Sequence, residues 1–89
     1  MYRIEFAKEA VKDILKLRKS DNQSYKKFEK IIAEIKEHPY TGTGHPEPLK
    51  YIQGMWSRKL DKKNRIRYTV NEEIVTVYVV SALGHYGDK

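Results

Sequence analysis

The chain has 89 residues, 34% of them charged, with a net charge of +6 and no cysteine. Its length allows one domain with a modest core, and the lack of cysteine excludes a disulfide framework or a thiolate metal site. The basic balance favours an anionic partner: nucleic acid, an acidic protein or a membrane surface.

Tyr2, Ile4 and Phe6 alternate with Arg3 and Glu5, the period of a short half-buried strand. From residue 7 to about 18, Ala7, Ala10, Val11, Ile14 and Leu17 recur at helical spacing. Lys8, Glu9, Lys12, Asp13 and Lys16 take the other face, which predicts an amphipathic helix. Ser20 with Gln23 three residues on has the form of a capping box, and it opens a second helix over about 21–37. The stripe of that helix is Tyr25, Phe28, Ile31, Ile32 and Ile35, and Pro39 ends it. The two helices make a hairpin joined by a tight turn.

Residues 38–48, punctuated by Pro, Gly and Thr, predict an ordered loop. Strands are predicted at 55–60, 65–70 and 74–81, with turns at 61–64 and 71–73 and a short additional strand at 50–52. The segment 74–81 is rich in β-branched residues and is expected to be central in the sheet. Trp56, Tyr2, Tyr25 and Tyr78 are assigned to the core. The pattern is an α+β fold over 1–89: an N-terminal strand, a two-helix hairpin and an antiparallel β-meander, forming one sheet with the helices on one face. No apolar run approaches the roughly 20 residues that span a bilayer. Residues 1–6 also lack the long apolar core of a signal peptide, so no membrane partner and a cytoplasmic location are expected.

One carboxylate stands out. Glu47 lies between Pro46 and Pro48, at the end of a run containing Gly42 and Gly44. Proline fixes its own φ and drives the preceding residue out of the α region, so Glu47 is held on a stiff, extended segment. That suits a general base, whose position decides its rate. Cleavage of RNA by its own 2′-hydroxyl needs a base, a stabiliser of phosphate charge and an acid for the departing 5′-oxygen. A carboxylate, an arginine and a histidine can fill those roles without a metal. Glu47, Arg65 and His85 are one of each. A tight hairpin at 71–73 would pair the strands leading from Arg65 and to His85, bringing the two residues towards one end of the sheet.

Tyr86 follows His85 and could stack on a base, donate a proton or pack. Lys50, Arg58, Lys59 and Arg67 form a basic set around this site: a phosphate track in the functional reading, a solvated face otherwise. Strand alternation puts Arg65 and Arg67 on one face, with Ile66 and Tyr68 on the other. Taken singly, Glu47 could be an exposed loop carboxylate, Arg65 a turn flank and His85 a surface histidine. His38, His45 and His85 are scattered without the spacing of a zinc site, and Gly42-x-Gly44 lacks the lysine and helix of a nucleotide loop. Neither a metal nor a cofactor is expected.

The run Pro39-Tyr40-Thr41-Gly42-Thr43-Gly44-His45-Pro46-Glu47-Pro48-Leu49-Lys50, then Gly54-Met55-Trp56-Ser57-Arg58-Lys59, Asn64-Arg65-Ile66-Arg67-Tyr68 and His85-Tyr86, resembles the YoeB/Txe toxins of the RelE superfamily. The likeness holds in order along essentially the whole chain. It implies a RelE-like fold and the toxin of a type II toxin–antitoxin system. It also implies a ribosome-dependent, metal-independent mRNA endonuclease (an mRNA interferase) that acts in the ribosomal A site and inhibits translation. The expected partners are the ribosome, mRNA and an acidic antitoxin of the YefM/Phd kind, with a homodimer also compatible.

By the same resemblance Glu47 is the general base, Arg65 the phosphate stabiliser, His85 the general acid and Tyr86 a fourth catalytic residue, with Lys50 and Arg58 near the RNA. The chain departs from the family at Lys59, where Trp-Ser-Arg-Arg would have arginine; the charge is kept and the bidentate geometry lost. It departs again in Gly87-Asp88-Lys89, which extends past Tyr86. Two rivals share the scaffold: a ParE-like, gyrase-directed toxin that acts by binding, and a basic RNA-binding module without turnover. The joint presence of Glu47, Arg65 and His85 favours the nuclease.

Overall fold

The computed structural model describes residues 1–83. The elements in chain order are β1 (Arg3–Phe6), α1 (Lys8–Ser20), α2 (Asn22–Glu37), β2 (Glu47–Pro48), β3 (Met55–Lys59), β4 (Arg65–Asn71) and β5 (Thr76–Ser81). The strands form one five-stranded sheet in the order β1-β5-β4-β3-β2. The meander β2 to β5 is antiparallel throughout, and β1 joins its edge parallel to β5. The α+β architecture predicted from the pattern is present. β5 is an interior strand, flanked by β1 and β4, while β4 occupies the middle of the five.

Both helices bury one stripe against one face of the sheet. Ala10 and Leu17 from α1 and Phe28, Ile31 and Ile35 from α2 meet Leu60, Ile66, Tyr68, Val77, Val79 and Ala82. Burying a side chain such as Ile31 completely is worth about 1.5–3 kcal/mol. The phase of α1 differs from the apolar pattern at two positions. Val11 is exposed, and Asp13, expected on the outer face, is buried. The Asp13 carboxylate accepts the backbone N–H groups of Ala82 and Leu83, so the buried charge is hydrogen-bonded rather than bare.

The turn between the helices is set one residue later than a Ser20–Gln23 capping box would place it. Asp21 is the N-cap of α2, and its carboxylate accepts from the N–H and the hydroxyl of Ser24. The N–H of Asp21 meanwhile bonds the carbonyl of Leu17, so one residue closes α1 and opens α2. Ser20 bonds back to the carbonyl of Lys16.

Three local expectations are corrected. The extra strand is at Glu47–Pro48, not at 50–52. Glu47 pairs with Ser57 and Pro48 with Trp56, and residues 50–54 are the turn that closes this small hairpin. Proline is tolerated there because β2 is an edge strand. β5 begins at Thr76 rather than Ile74, because the side chain of Asn71 accepts the N–H groups of Glu73 and Ile74 and extends the turn. Tyr78 pairs with Thr69 on the face away from the helices and is exposed, so it is not a core residue. Farther along, the β4–β5 register steps from Tyr68↔Val79 to Arg67↔Ser81 and skips Val80. This bulge brings Ser81 onto the same face as Arg67. No described helix is long and apolar enough to cross a membrane.

Candidate active site

The face of the sheet away from the helices carries the polar residues. Register links Glu47 to Ser57, Ser57 to Arg67 and Arg67 to Ser81, giving one row across β2, β3, β4 and β5. Directly paired residues project from the same face. Lys59 pairs with Arg65 two positions along and so belongs to that face as well.

Within this row the side chains are interlinked. A terminal nitrogen of Arg65 lies 3.5 Å from Oε2 of Glu47 and donates to Oγ of Ser57 at 3.4 Å. The Glu47 side chain is 48% exposed and that of Arg65 is 25% exposed. A wet ion pair of this length contributes at most about 1 kcal/mol to stability, so its interest is chemical. An accessible carboxylate stands beside a guanidinium on one face, the pairing that a general base and a phosphate-charge stabiliser would need. Nε of Arg67 donates to Oγ of Ser81 at 2.9 Å. Ser57 and Ser81 are both buried, and each hydroxyl fixes one arginine from beneath. Sequence reasoning missed these two serines. The available signal was their strand parity with the arginines they hold.

Of the residues expected at the site, Glu47 and Arg65 are brought together, and Lys59 and Arg67 share their face. Lys50 is exposed in the turn directly after β2. His85 and Tyr86 lie outside the described residues. Arg58 is a correction. Expected on a phosphate track, it is fully buried because it pairs with Ile66, whose side chain faces the helices.

The Arg58 guanidinium uses all five of its N–H donors. Nε donates to the Tyr68 hydroxyl at 3.1 Å. One terminal nitrogen donates to Glu34 at 3.1 Å and to the Thr43 carbonyl at 3.3 Å. The other donates to the carbonyls of His38 at 2.6 Å and Thr41 at 2.8 Å. Tyr68 passes its own proton to the carbonyl of Pro39 at 2.7 Å. Glu34 accepts the hydroxyl and the N–H of Thr43, both at 2.7 Å. These two bonds, helped by the charge of Arg58, hold the Glu34 carboxyl below its ordinary range. Burial pushes the Tyr68 phenol up, against the opposing pull of Arg58.

Two glycines let the loop close over this group. A Cβ on Gly42 would lie 2.5 Å from Glu34 Oε1, and one on Gly44 would lie 2.7 Å from the Lys59 carbonyl. Both glycines have positive φ. The glycine run therefore serves to wrap the chain over a buried arginine and deliver it to β2.

A second polar cluster ties other parts of the chain. Glu72 accepts the hydroxyls of Tyr2, at 2.7 Å, and Tyr40, and the Tyr40 ring lies on Trp56 with centroids 4.9 Å apart. The bond to Glu72 pushes the Tyr40 phenol up to about 12. Trp56 packs against the core, as expected. Among the described residues no group of three or more His, Asp or Glu side chains could hold a metal ion.

The family model for the YoeB-like toxin of the bacterial type II toxin–antitoxin system matches residues 6–86. The toxin YoeB of Streptomyces coelicolor is 34% identical over 85 residues, which cover 94% of this chain and 99% of that protein. Among solved structures, the YoeB dimer from Staphylococcus aureus superposes with a TM-score of 0.85 at 28% identity, covering 96% of this chain and 98% of that one. The YoeB toxin–antitoxin heterotetramer with YefM from the same organism is also similar, with a TM-score of 0.82, 27% identity and coverage of 97% and 99%.

Proposed function

The chain belongs to the YoeB-like toxins of bacterial type II toxin–antitoxin systems, and from this premise we propose that it is an endoribonuclease that cuts mRNA in the ribosomal A site without a metal. The observation that carries the reading is the Glu47–Arg65 pair, carboxylate to guanidinium at 3.5 Å on an accessible sheet face. In the proposed step Glu47 takes the proton of a ribose 2′-hydroxyl. The freed oxygen attacks the adjacent phosphorus, and Arg65 offsets the charge gathering on the non-bridging oxygens. The bond to the 5′-oxygen breaks, and that oxygen leaves with a proton assigned by resemblance to His85. The products are a 2′,3′-cyclic phosphate and a 5′-hydroxyl. Tyr86 would position or stack a nucleotide, and Lys50, Lys59 and Arg67 would gather phosphates.

An acidic antitoxin of the YefM kind, a homodimeric state and a cytoplasmic location are proposed with the same reading. A toxin that acts purely by binding would have no use for the Glu47–Arg65 pair. The test is cleavage of mRNA on programmed ribosomes, with analysis of the new ends. Cyclic-phosphate and 5′-hydroxyl ends are expected, with Glu47→Gln slowing the step at least about tenfold while leaving the melting temperature nearly unchanged. Dialysis of the protein against chelator before mixing should leave the rate as it was. Full activity in folded Glu47→Gln, or 5′-phosphate ends, would overturn the reading.

A further inference from the structure

Arg58 is next to Lys59 in sequence and opposite to it in environment. Its guanidinium is fully buried, and each of its five donors has its own acceptor. Three of those acceptors are carbonyls of the loop between α2 and β2, at His38, Thr41 and Thr43. A fourth is Glu34 on α2, which grips the same loop again through the N–H and hydroxyl of Thr43. The carbonyl of Gly44 then accepts the N–H of Lys59 at 2.7 Å, and three residues later the chain enters β2 at Glu47. The path of the loop is thus fixed at four successive points before the carboxylate is presented.

We propose that Arg58 is a positioning residue for Glu47: it sets the loop that places the carboxylate beside Arg65, and it does so without touching RNA. This rests on the reading of Glu47 as the base. The chemistry explains why arginine stands here. Lysine has three donors on one rotating head, so at least two of the five acceptors would lose the bond that this residue supplies. A group that contacts RNA needs an open side and a spare donor, and Arg58 has neither. Position matters to the rate because a base misplaced by about 1 Å can lose on the order of a hundredfold.

The experiment compares Arg58→Lys, Glu34→Gln and Thr43→Val with Glu47→Gln, and with the double variant Glu47→Gln/Arg58→Lys, in single-turnover cleavage on programmed ribosomes. Thr43→Val removes only the hydroxyl bond to Glu34, so it keeps the test open if the arginine variant fails to fold. In the folded variants kcat is expected to fall at least about fivefold, with KM within twofold and the salt dependence of ribosome binding unchanged. The double variant should be no slower than Glu47→Gln alone, because a residue acting through another is not additive with it. Folded variants with wild-type kcat, a raised KM with a shallower salt slope, or multiplicative losses in the double variant would each overturn the inference. A fully active Glu47→Gln would instead overturn the assignment of the base. The two failures are therefore distinguishable.

Discussion

The carboxylate of Asp13, in the middle of α1, accepts the backbone N–H groups of both Ala82 and Leu83 at 3.1 Å. It joins the first helix to the end of the last strand across most of the chain. Asp13 is 8% exposed and Ala82 is fully buried. Removing the acceptor would orphan two backbone donors, at about 1–3 kcal/mol for a buried group left without a partner. Asp13→Ala should therefore lower the free energy of unfolding by about 2–4 kcal/mol, measured by urea titration. Asp13→Asn keeps an oxygen in place and should cost clearly less. Equal losses in the two variants would show that the oxygen acceptor is not what matters.

Asp13 also shows where sequence reading stops. Its bonds span 69 and 70 residues, and nothing local marks it as different from Lys12 or Lys16 on the same helix. Hydrophobic periodicity located both helices and every long strand, because each buries one face of a regular period. Strand alternation placed Arg65 and Arg67 opposite Ile66 and Tyr68, as observed. The same alternation on β3 puts Ser57 and Lys59 outward and Arg58 inward. Parity, not residue type, decides the side there: a basic residue one position from Lys59 faces the helices and is buried. Glu47 was legible because two prolines constrain it locally. Its partner Ser57 was not, because that pairing is a matter of register between strands.

The Glu72 cluster makes a prediction for pH. The hydroxyl of Tyr40, then that of Tyr2, holds the Glu72 carboxyl below its ordinary range. A depressed carboxyl contributes stability above its unfolded pKa and loses it as pH falls through the folded value. Tyr40 has the opposite sign. Its phenol is raised to about 12, so its contribution is complete below the ordinary value of 10.0 and is lost as pH rises through about 12. The clamp is thus intact at neutral pH and opens at both extremes. Ultraviolet titration of tyrosinate should show Tyr40 ionising late, near 12, with Tyr2 and Tyr68 also raised, and Glu72→Gln should return Tyr40 towards 10.0 and lower Tyr2 with it. An unchanged titration in that variant would mean that Glu72 is not the cause.

Salt offers a second separation. Lys50 and Lys59 are exposed and Arg67 is partly so, while Arg58 is fully enclosed. Each phosphate neutralised by a cation adds about 0.7–0.9 to the slope of log affinity against log salt. Lys50→Gln, Lys59→Gln and Arg67→Gln should each weaken binding to ribosomes and reduce that slope by roughly one. A folded Arg58 variant should leave the slope alone. Slopes unchanged by all three exposed substitutions would remove the phosphate track from this face.

Lys59 gives the sharpest test, because it predicts a gain. It pairs with Arg65 in register on the open face and is exposed. An ammonium there meets a phosphate as a point charge, whereas a guanidinium can meet two oxygens with a pre-formed fork. Neighbours do not hinder the change, since an exposed side chain can lengthen into solvent. The net charge is the same, so the salt slope of ribosome binding should not move. A second oriented hydrogen bond to a charged oxygen, realised as the phosphate approaches its transition state, is worth about 0.5–1 kcal/mol beyond the single contact. Lys59→Arg should therefore raise kcat/KM roughly two- to fivefold, with no change in melting temperature beyond a degree or so. If the variant is slower than the parent, position 59 does not face the transferring phosphate, and lysine is held there by some other contact.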